Sequence, residues 1–416
     1  MRVDLLLPDG EAYRLVEVKS STAVKDYHLS DAAVQSWVTE NAGVPISRTQ
    51  IAHIDTSFVY SGYGDYRGLL AYADISPEVS ALSPEIPAWT AAARATLSGE
   101  EPRIAPGAQC HEPFACPFFA HCAPREKGPT GYPPEDLPRA RALATELRLE
   151  GYTDLRQIPA ERLTRPLHRR IRQAALTGSA ELNPAGGKLL SAQPYPRRYL
   201  DFETVNFAVP IWADTRPYAT QIPFQWSCHV EAAPGAVMHR AYLADGPDDP
   251  RRRLAETMLD AVGETGPIFV YNAAFERRIM RELAECFPDL APRLRPAIGR
   301  ILDLLPIARA HYYHPEMHGS WSLKAVLPTI AAELAYEDLE VADGGMAQAA
   351  FREMIHPDTS AERGSALRRA LLTYCERDTV ALVCLAHYFQ GIARDAYTQE
   401  RSFTGPMLRS TILDTF

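Results

Sequence analysis

The 416-residue chain has no run of about 18 consecutive apolar residues, so no membrane-spanning helix is expected. Its first residues, MRVDLLLPDGEAYRLVEVKSS, place acidic side chains where the apolar centre of a secretory leader would lie, and a cytoplasmic location is expected. Cysteine is sparse. Seven residues, an odd number in a chain without an export signal, argue for a reducing compartment and for free thiols or metal ligation over disulfides. An excess of positive charge is also missing. At a net charge of −9 the chain does not coat nucleic acid, so phosphate contacts have to be local, through patches such as HRRIR at 168–172 or PRR at 196–198. Lysine is nearly absent: five residues, at positions 19, 25, 127, 188 and 324, stand against 38 arginines, which makes a lysine inside a motif more informative. Apolar side chains are plentiful at 46%, enough for packed cores, over a length that implies two or three domains.

Three blocks separate along the chain. Residues 1–123 open with a hairpin signal, RVDLLL and YRLVEVKS around the Asp-Gly of PDGEA. The Pro- and Gly-rich stretch APREKGPTGYPPEDLP, residues 123–138, has linker composition. Residues 138–183 carry apolar positions at helical spacing around a Gly and a Pro-bounded turn, a small helical unit that resembles a helix-hairpin-helix module; a simple spacer fits it equally. A second break, NPAGGKLLSAQPYPRR, leads into a block of alternating strands and helices over 195–395.

In that last block YLDFETVNF, residues 199–207, sets Asp201 and Glu203 two apart. On a strand these share a face and repel, which fits either a solvated face or a divalent-cation site, since hard cations take carboxylate oxygens. PIFVYNAAFERRIM reads as a strand turning into a helix, with Asn272 at the junction and Glu276 one turn inside. LLTYCERDTVAL puts Tyr374 and Asp378 at i and i+4 on one helix face, and RILDLLPIAR holds Asp303 alone among apolar residues. Singly, each acid also reads as plain surface.

Taken in order, the three motifs resemble the DEDD superfamily of 3′ to 5′ exonucleases, of ribonuclease-H-like fold, and Tyr374 four residues before Asp378 resembles its tyrosine subclass. The resemblance implies that Asp201, Glu203 and Asp378 hold two divalent ions, Mg²⁺ or Mn²⁺, with Glu276 in place of the usual second-motif Asp. Tyr374 would orient or help deprotonate the attacking water. Phosphodiester hydrolysis needs a hydroxide at neutral pH and neutralised charge on attacking and leaving oxygens, which two metals about 4 Å apart supply. Glu276 departs from the pattern by one methylene, enough to weaken or re-route a metal contact, and Asp303 is then a reserve ligand. The stretch HPEMHGSWSLKAVLP contains an S-L-K similar to the Ser-Leu run of such exonucleases; His311, His314 and His318 read as polar surface.

The N-terminal hairpin has its own acids. With the turn near residues 9–11, paired positions sum to about 21, which sets Asp4 near Glu17, while Glu17 and Lys19 share a face. An acid pair with an adjacent lysine resembles the PD-(D/E)xK nucleases, in their RecB-type branch that includes CRISPR-associated exonucleases. In that resemblance the acids bind Mg²⁺, Lys19 positions or activates water, and Gln35 matches the following Gln motif. The branch often closes with a cysteine cluster, and CHEPFACPFFAHC supplies Cys110, Cys116 and Cys122. These imply a [4Fe–4S] cluster that lacks its upstream fourth cysteine, or a Zn²⁺ site completed by His111 or His121. The missing cysteine, together with the helix that normally precedes this hairpin, predicts an N-terminally shortened form of a longer protein with an incomplete first nuclease site.

The expected protein is α/β. It joins a truncated restriction-endonuclease-like domain (1–123), a small helical unit (138–183) and a ribonuclease-H-like domain with a mixed sheet flanked by helices (195–395). This fusion resembles an uncharacterised bacterial family. The expected function is metal-dependent 3′ to 5′ hydrolysis of single-stranded nucleic-acid ends, DNA or RNA; the alternative is a nucleic-acid-binding or regulatory protein whose nuclease folds have decayed.

Overall fold

A computed structural model describes residues 2–104, 107–110, 112–122, 131–336 and 338–392. The chain divides into two units, Met1–Gly128 with Asn206–Thr220, and Pro129–Val205 with Gln221–Phe416.

In the first unit β1 (Leu5–Asp9) and β2 (Ala12–Lys19) form the expected hairpin, paired from Leu5↔Val16 to Asp9↔Ala12, a register sum of 21. Gly10 takes φ 65° in the turn, a conformation that glycine reaches without steric cost. Helix α1 (Asp26–Asn41) then crosses to β3 (Ile46–Ile54), parallel to β2, and β4 (Leu70–Asp74) returns antiparallel, giving a sheet β1-β2-β3-β4. α2 (Ser76–Leu82), α3 (Ile86–Ser98) and α4 (Phe119–Cys122) follow. Ala32 and Ala33 of α1 pack with Ile51, Val79 and Ile86 in a small core. The segment Asn206–Thr220 joins this unit through a Tyr60↔Thr215 bridge and a Tyr66 hydroxyl that donates to the Pro210 carbonyl at 3.1 Å.

The second unit runs α5 (Arg141–Leu149), α6 (Pro166–Thr177), β5 (Glu181–Leu182), α7 (Pro184–Ser191), β6 (Arg197–Val205), β7 (Ile222–Ala233), β8 (Ala236–Leu243) and α8 (Arg251–Val262). It continues through β9 (Ile268–Val270), α9 (Ala274–Cys286), α10 (Ala291–Gly299), β10 (Ile301–Asp303), α11 (Leu304–His311), β11 (Tyr312–Tyr313), α12 (Leu323–Ile330), α13 (Gly344–Met354) and α14 (Ala361–Gln390). Its main sheet has the order β10-β9-β6-β7-β8, with β6, β9 and β10 parallel and the β6-β7-β8 meander antiparallel. The acid-bearing strand β6 is therefore central.

Alternation along β6 divides its side chains between two layers. Leu200 and Phe202, with Trp226 and Cys228 of β7, pack against α8, α9 and α10 in one core. The other face, which carries Tyr199, Asp201 and Glu203, lies under α14. The helices over 138–183 are not a separate body. Leu147, Leu155, Ile158 and Ile171 share one core with Tyr199, Phe269 and Leu382 of the sheet and α14. Among the described residues no helix is long and apolar enough to cross a membrane.

Candidate active site

Directly opposed residues of antiparallel strands point to the same face. Asp201 opposes Ser227, Glu203 opposes Gln225, and Tyr199 opposes His229, which in turn opposes His239 on β8. The face under α14 is thus a polar layer, and α14 adds Tyr374, Cys375, Asp378 and Thr379 to it. Asp201, Glu203, Tyr374 and Asp378 together line one cavity of about 190 Å³, along with Tyr271 and Leu323. The Tyr336 hydroxyl donates to Asp378 Oδ1 at 2.5 Å, and the Cys375 thiol donates to Asp201 Oδ2 at 3.8 Å.

Burial is the dominant electrostatic fact. It holds the Asp201 carboxyl well above its ordinary range, and the negative charges of Asp378, Glu203 and Glu276 add to the effect. Glu203 is pushed up to about 8 by burial and by Asp378, against the opposing charge of Lys324. Asp378 is raised to about 6: burial dominates, offset in part by the Tyr336 hydrogen bond, the Lys324 charge and the Tyr374 hydrogen bond. Burial and the Asp378 carboxylate also raise the Tyr374 and Tyr336 phenols, so both keep their protons at neutral pH. The Lys324 ammonium sits 5.4 Å from both tyrosine ring centroids. Three carboxyls thus converge, and the nearby positive charge is too small to offset the burial that favours the protonated forms of Asp201 and Glu203.

Glu276, in the first turn of α9, is 2% exposed, and its Oε2 has no hydrogen-bond partner. Burial pushes it up to about 8, with Asp303 adding to the rise. It does not line the cavity, yet its charge is felt at Asp201. Asp303 is occupied by backbone: its carboxylate accepts from the N–H groups of Asn272 (2.9 Å), Ala273 (3.0 Å) and Leu305 (2.9 Å), capping α11 and holding the β9–α9 junction. Asn272 at that junction takes φ 73°, a left-handed conformation that asparagine tolerates.

Lys324 stands out in the sequence within the S-L-K stretch, and no motif marks Tyr336 or a second group formed by His229, His239 and Glu376. One ligand atom from each of these three lies within 4.8 Å of the others, as also holds for Asp201, Glu203 and Cys375. The scarcity of lysine and the S-L-K stretch were signals for Lys324. The Pro-Gly turn at 234–235 sets Ala233 opposite Ala236, a sum of 469, and an irregularity between Glu231 and Ala233 shifts the ladder to 468, so the turn alone does not place His229 opposite His239.

In the first unit Lys19 Nζ binds Glu17 Oε1 at 2.8 Å and Asp31 Oδ2 at 2.5 Å, and Gln35 Nε2 reaches Asp31 Oδ1 at 3.5 Å. Burial pulls the Lys19 ammonium down, but Asp31 and Glu17 outweigh it and hold the group above its ordinary value. The second carboxylate on Lys19 is therefore Asp31, which the sequence did not single out. Asp4 is exposed and accepts the Val18 N–H at 2.9 Å. Glu17 Oε2 and Gln35 Oε1 are buried acceptors with no donor. A cavity of about 530 Å³ opens beside Lys19, His28 and Asp31.

Cys110, Cys116 and Cys122 are free thiols, respectively buried, partly exposed and exposed. Among the described residues no three ligand atoms that include their sulfurs lie within 4.8 Å. His121 pairs with Glu101 at 2.6 Å, and His111 lies outside the described residues. The arginines of the two patches make hydrogen bonds within the fold. Arg197 is 1% exposed and donates to Gln390, Leu190 and Gln193, and Arg198 donates to the Pro196 and Thr265 carbonyls. Within HRRIR, Arg169, Arg170 and Arg172 donate to the carbonyls of Leu163, Arg309 and Ile158. An isolated pair such as PRR reads as a surface patch until the loops that supply its acceptors are known.

Residues 198–322 match a family model described as Domain of unknown function (DUF2779). The match spans Asp201, Glu203, Glu276 and Asp303 and ends before Tyr374 and Asp378. No curated protein and no solved structure matches the chain.

Proposed function

We propose that the second unit is a divalent-metal-dependent phosphodiester hydrolase of ribonuclease-H-like fold, a 3′ to 5′ exonuclease acting on single-stranded nucleic-acid ends. The observation that carries this reading is the convergence of Asp201, Glu203 and Asp378, with Tyr374, on one cavity where burial leaves the carboxyls short of counter-charge. A mixed sheet with its acid-bearing strand at the centre supports the fold assignment.

The donor set fits hard cations: oxygen ligands, several carboxylates, and in Glu276 a further buried oxygen without a partner. Asp201, Glu203 and Asp378 would hold Mg²⁺ or Mn²⁺, and Glu276 would supply the fourth carboxylate. Such ions provide a hydroxide at neutral pH and neutralise the attacking and leaving oxygens. Tyr374, at the same cavity, would orient or help deprotonate the attacking water. Lys324 adds a positive charge that acts on both Glu203 and Asp378. The first unit is proposed to be a restriction-endonuclease-like domain whose Lys19 is held by Glu17 and Asp31.

The alternative, a nucleic-acid-binding protein without catalysis, is favoured by two observations: Glu276 stays out of the cavity lining, and Asp4 is spent on Val18. One experiment separates them. The full chain should degrade 5′-labelled single-stranded DNA or RNA with Mn²⁺ and stop with EDTA, and Asp201→Ala should lower the rate by about 100-fold or more. Degradation that survives Asp201→Ala would refute the assignment, and binding of the same oligonucleotides without Mn²⁺-dependent cleavage would establish the alternative.

A further inference from the structure

The polar layer under α14 contains a second cluster that the hydrolytic reading leaves unused. His229 and His239 oppose each other across the β7–β8 ladder, their rings stacked at 4.6 Å and 25°. Glu376 comes from α14. It lies two residues before Asp378, about 200° around the helix, so it faces away from the acid cavity. Thr379 lies beside Glu376 on that side.

One arrangement of protons satisfies the hydrogen bonds of this cluster and leaves one nitrogen of each ring free. In that arrangement Thr379 Oγ1 donates to the Glu376 carbonyl at 3.1 Å, which can only accept. The same oxygen then accepts from Ser227 Oγ at 2.7 Å and from His229 Nδ1 at 2.8 Å. With its proton given to Thr379, Ser227 Oγ accepts from His239 Nε2 at 2.9 Å. Both imidazoles thus donate from one nitrogen to a hydroxyl, leaving lone pairs at His229 Nε2 and His239 Nδ1. Holding a histidine by its second nitrogen is what orients a metal ligand.

The third group completes the pattern. Glu376 Oε1 lies 3.5 Å from His239 Nδ1, long for a hydrogen bond, and in this arrangement a lone pair faces a carboxylate there. Two ligands about 2.0–2.1 Å from one tetrahedral ion stand roughly 3.3–3.4 Å apart, close to this separation. Burial lowers the affinity of both imidazoles for protons, which favours neutral, ligating rings. The Glu376 side chain is 46% exposed, so an ion has a route in from solvent.

We propose that His229 Nε2, His239 Nδ1 and the Glu376 carboxylate bind one zinc-type divalent ion, separate from the carboxylate cavity, with water in the fourth position. Such an ion joins the β7–β8 edge hairpin to α14, the helix that carries Tyr374 and Asp378.

The test uses the full chain, stripped with EDTA and titrated with Co²⁺ alone. Wild type should take up one equivalent with the visible absorption of a tetrahedral ion, which Zn²⁺ displaces. His239→Ala should lose this band, and Glu376→Gln should bind at least about tenfold more weakly. Glu376→Gln alters a half-exposed side chain, so it keeps the test valid if His239→Ala does not fold. Asp201→Asn and Cys116→Ser should keep the band. No tetrahedral band in wild type, or a band unchanged in both His239→Ala and Glu376→Gln, would overturn the site.

Discussion

Glu276 separates a complete metal site from a nearly complete one. Its carboxyl sits at about 8 because burial disfavours its charge, and one of its oxygens lacks a partner. Glu276→Gln keeps the shape and removes the charge. If Glu276 is a ligand, Mn²⁺ affinity measured by calorimetry should fall about tenfold or more; unchanged affinity would leave three carboxylates as the whole site. Tyr336 acts through Asp378, since its hydrogen bond is the largest influence opposing burial there. Tyr336→Phe should therefore raise the Asp378 carboxyl above about 6 and move the acid limb of Mn²⁺-dependent turnover to higher pH, whereas a change in KM alone would mark Tyr336 as packing only.

At the scale of elements, Asp303 illustrates how a partly buried acid can serve the fold without lining the cavity. Asp303→Ala leaves three N–H groups unpaired and uncaps α11, and should cost about 2–4 kcal/mol in chemical denaturation, with Asp303→Asn losing less. Gly187 lets α7 approach α14 so closely that an added Cβ would meet the Phe389 carbonyl oxygen at 2.1 Å, so Gly187→Ala should destabilise by about 1–3 kcal/mol. These elements also show what the sequence could convey. The β1–β2 register followed from one Asp-Gly turn, and the shared faces of Asp201 with Glu203 and Tyr374 with Asp378 followed from the periods of strand and helix. The partners Asp31, Tyr336 and His239 depend on which elements lie against which, and no local period encodes that. For the same reason the helices over 138–183 were legible as amphipathic, while the surface they cover, around Tyr199 and Leu382, was not.

At the scale of the whole molecule, the buried carboxyls tie stability to pH and to metal. In the folded chain Asp378 lies at about 6 against an ordinary 3.8, and Glu203 and Glu276 lie at about 8 against 4.5. The folded state therefore keeps protons that the unfolded chain has already released, and the contribution of this cluster falls as pH rises. It is fully present below the ordinary carboxyl values and is lost as pH passes about 6 for Asp378 and about 8 for the two glutamates. A divalent ion reverses the sign, because it binds the ionised form and gains most where protons are fewest. In EDTA, the melting temperature of wild type should fall more steeply from pH 6 to pH 9 than that of Asp201→Asn/Glu203→Gln, in which two of the carboxyls cannot ionise. At pH 8.5 millimolar Mn²⁺ should raise the wild-type melting temperature and leave the double variant unchanged. Parallel pH profiles for the two proteins would place the pH dependence elsewhere in the chain, and equal stabilisation by Mn²⁺ would place the ion away from Asp201 and Glu203.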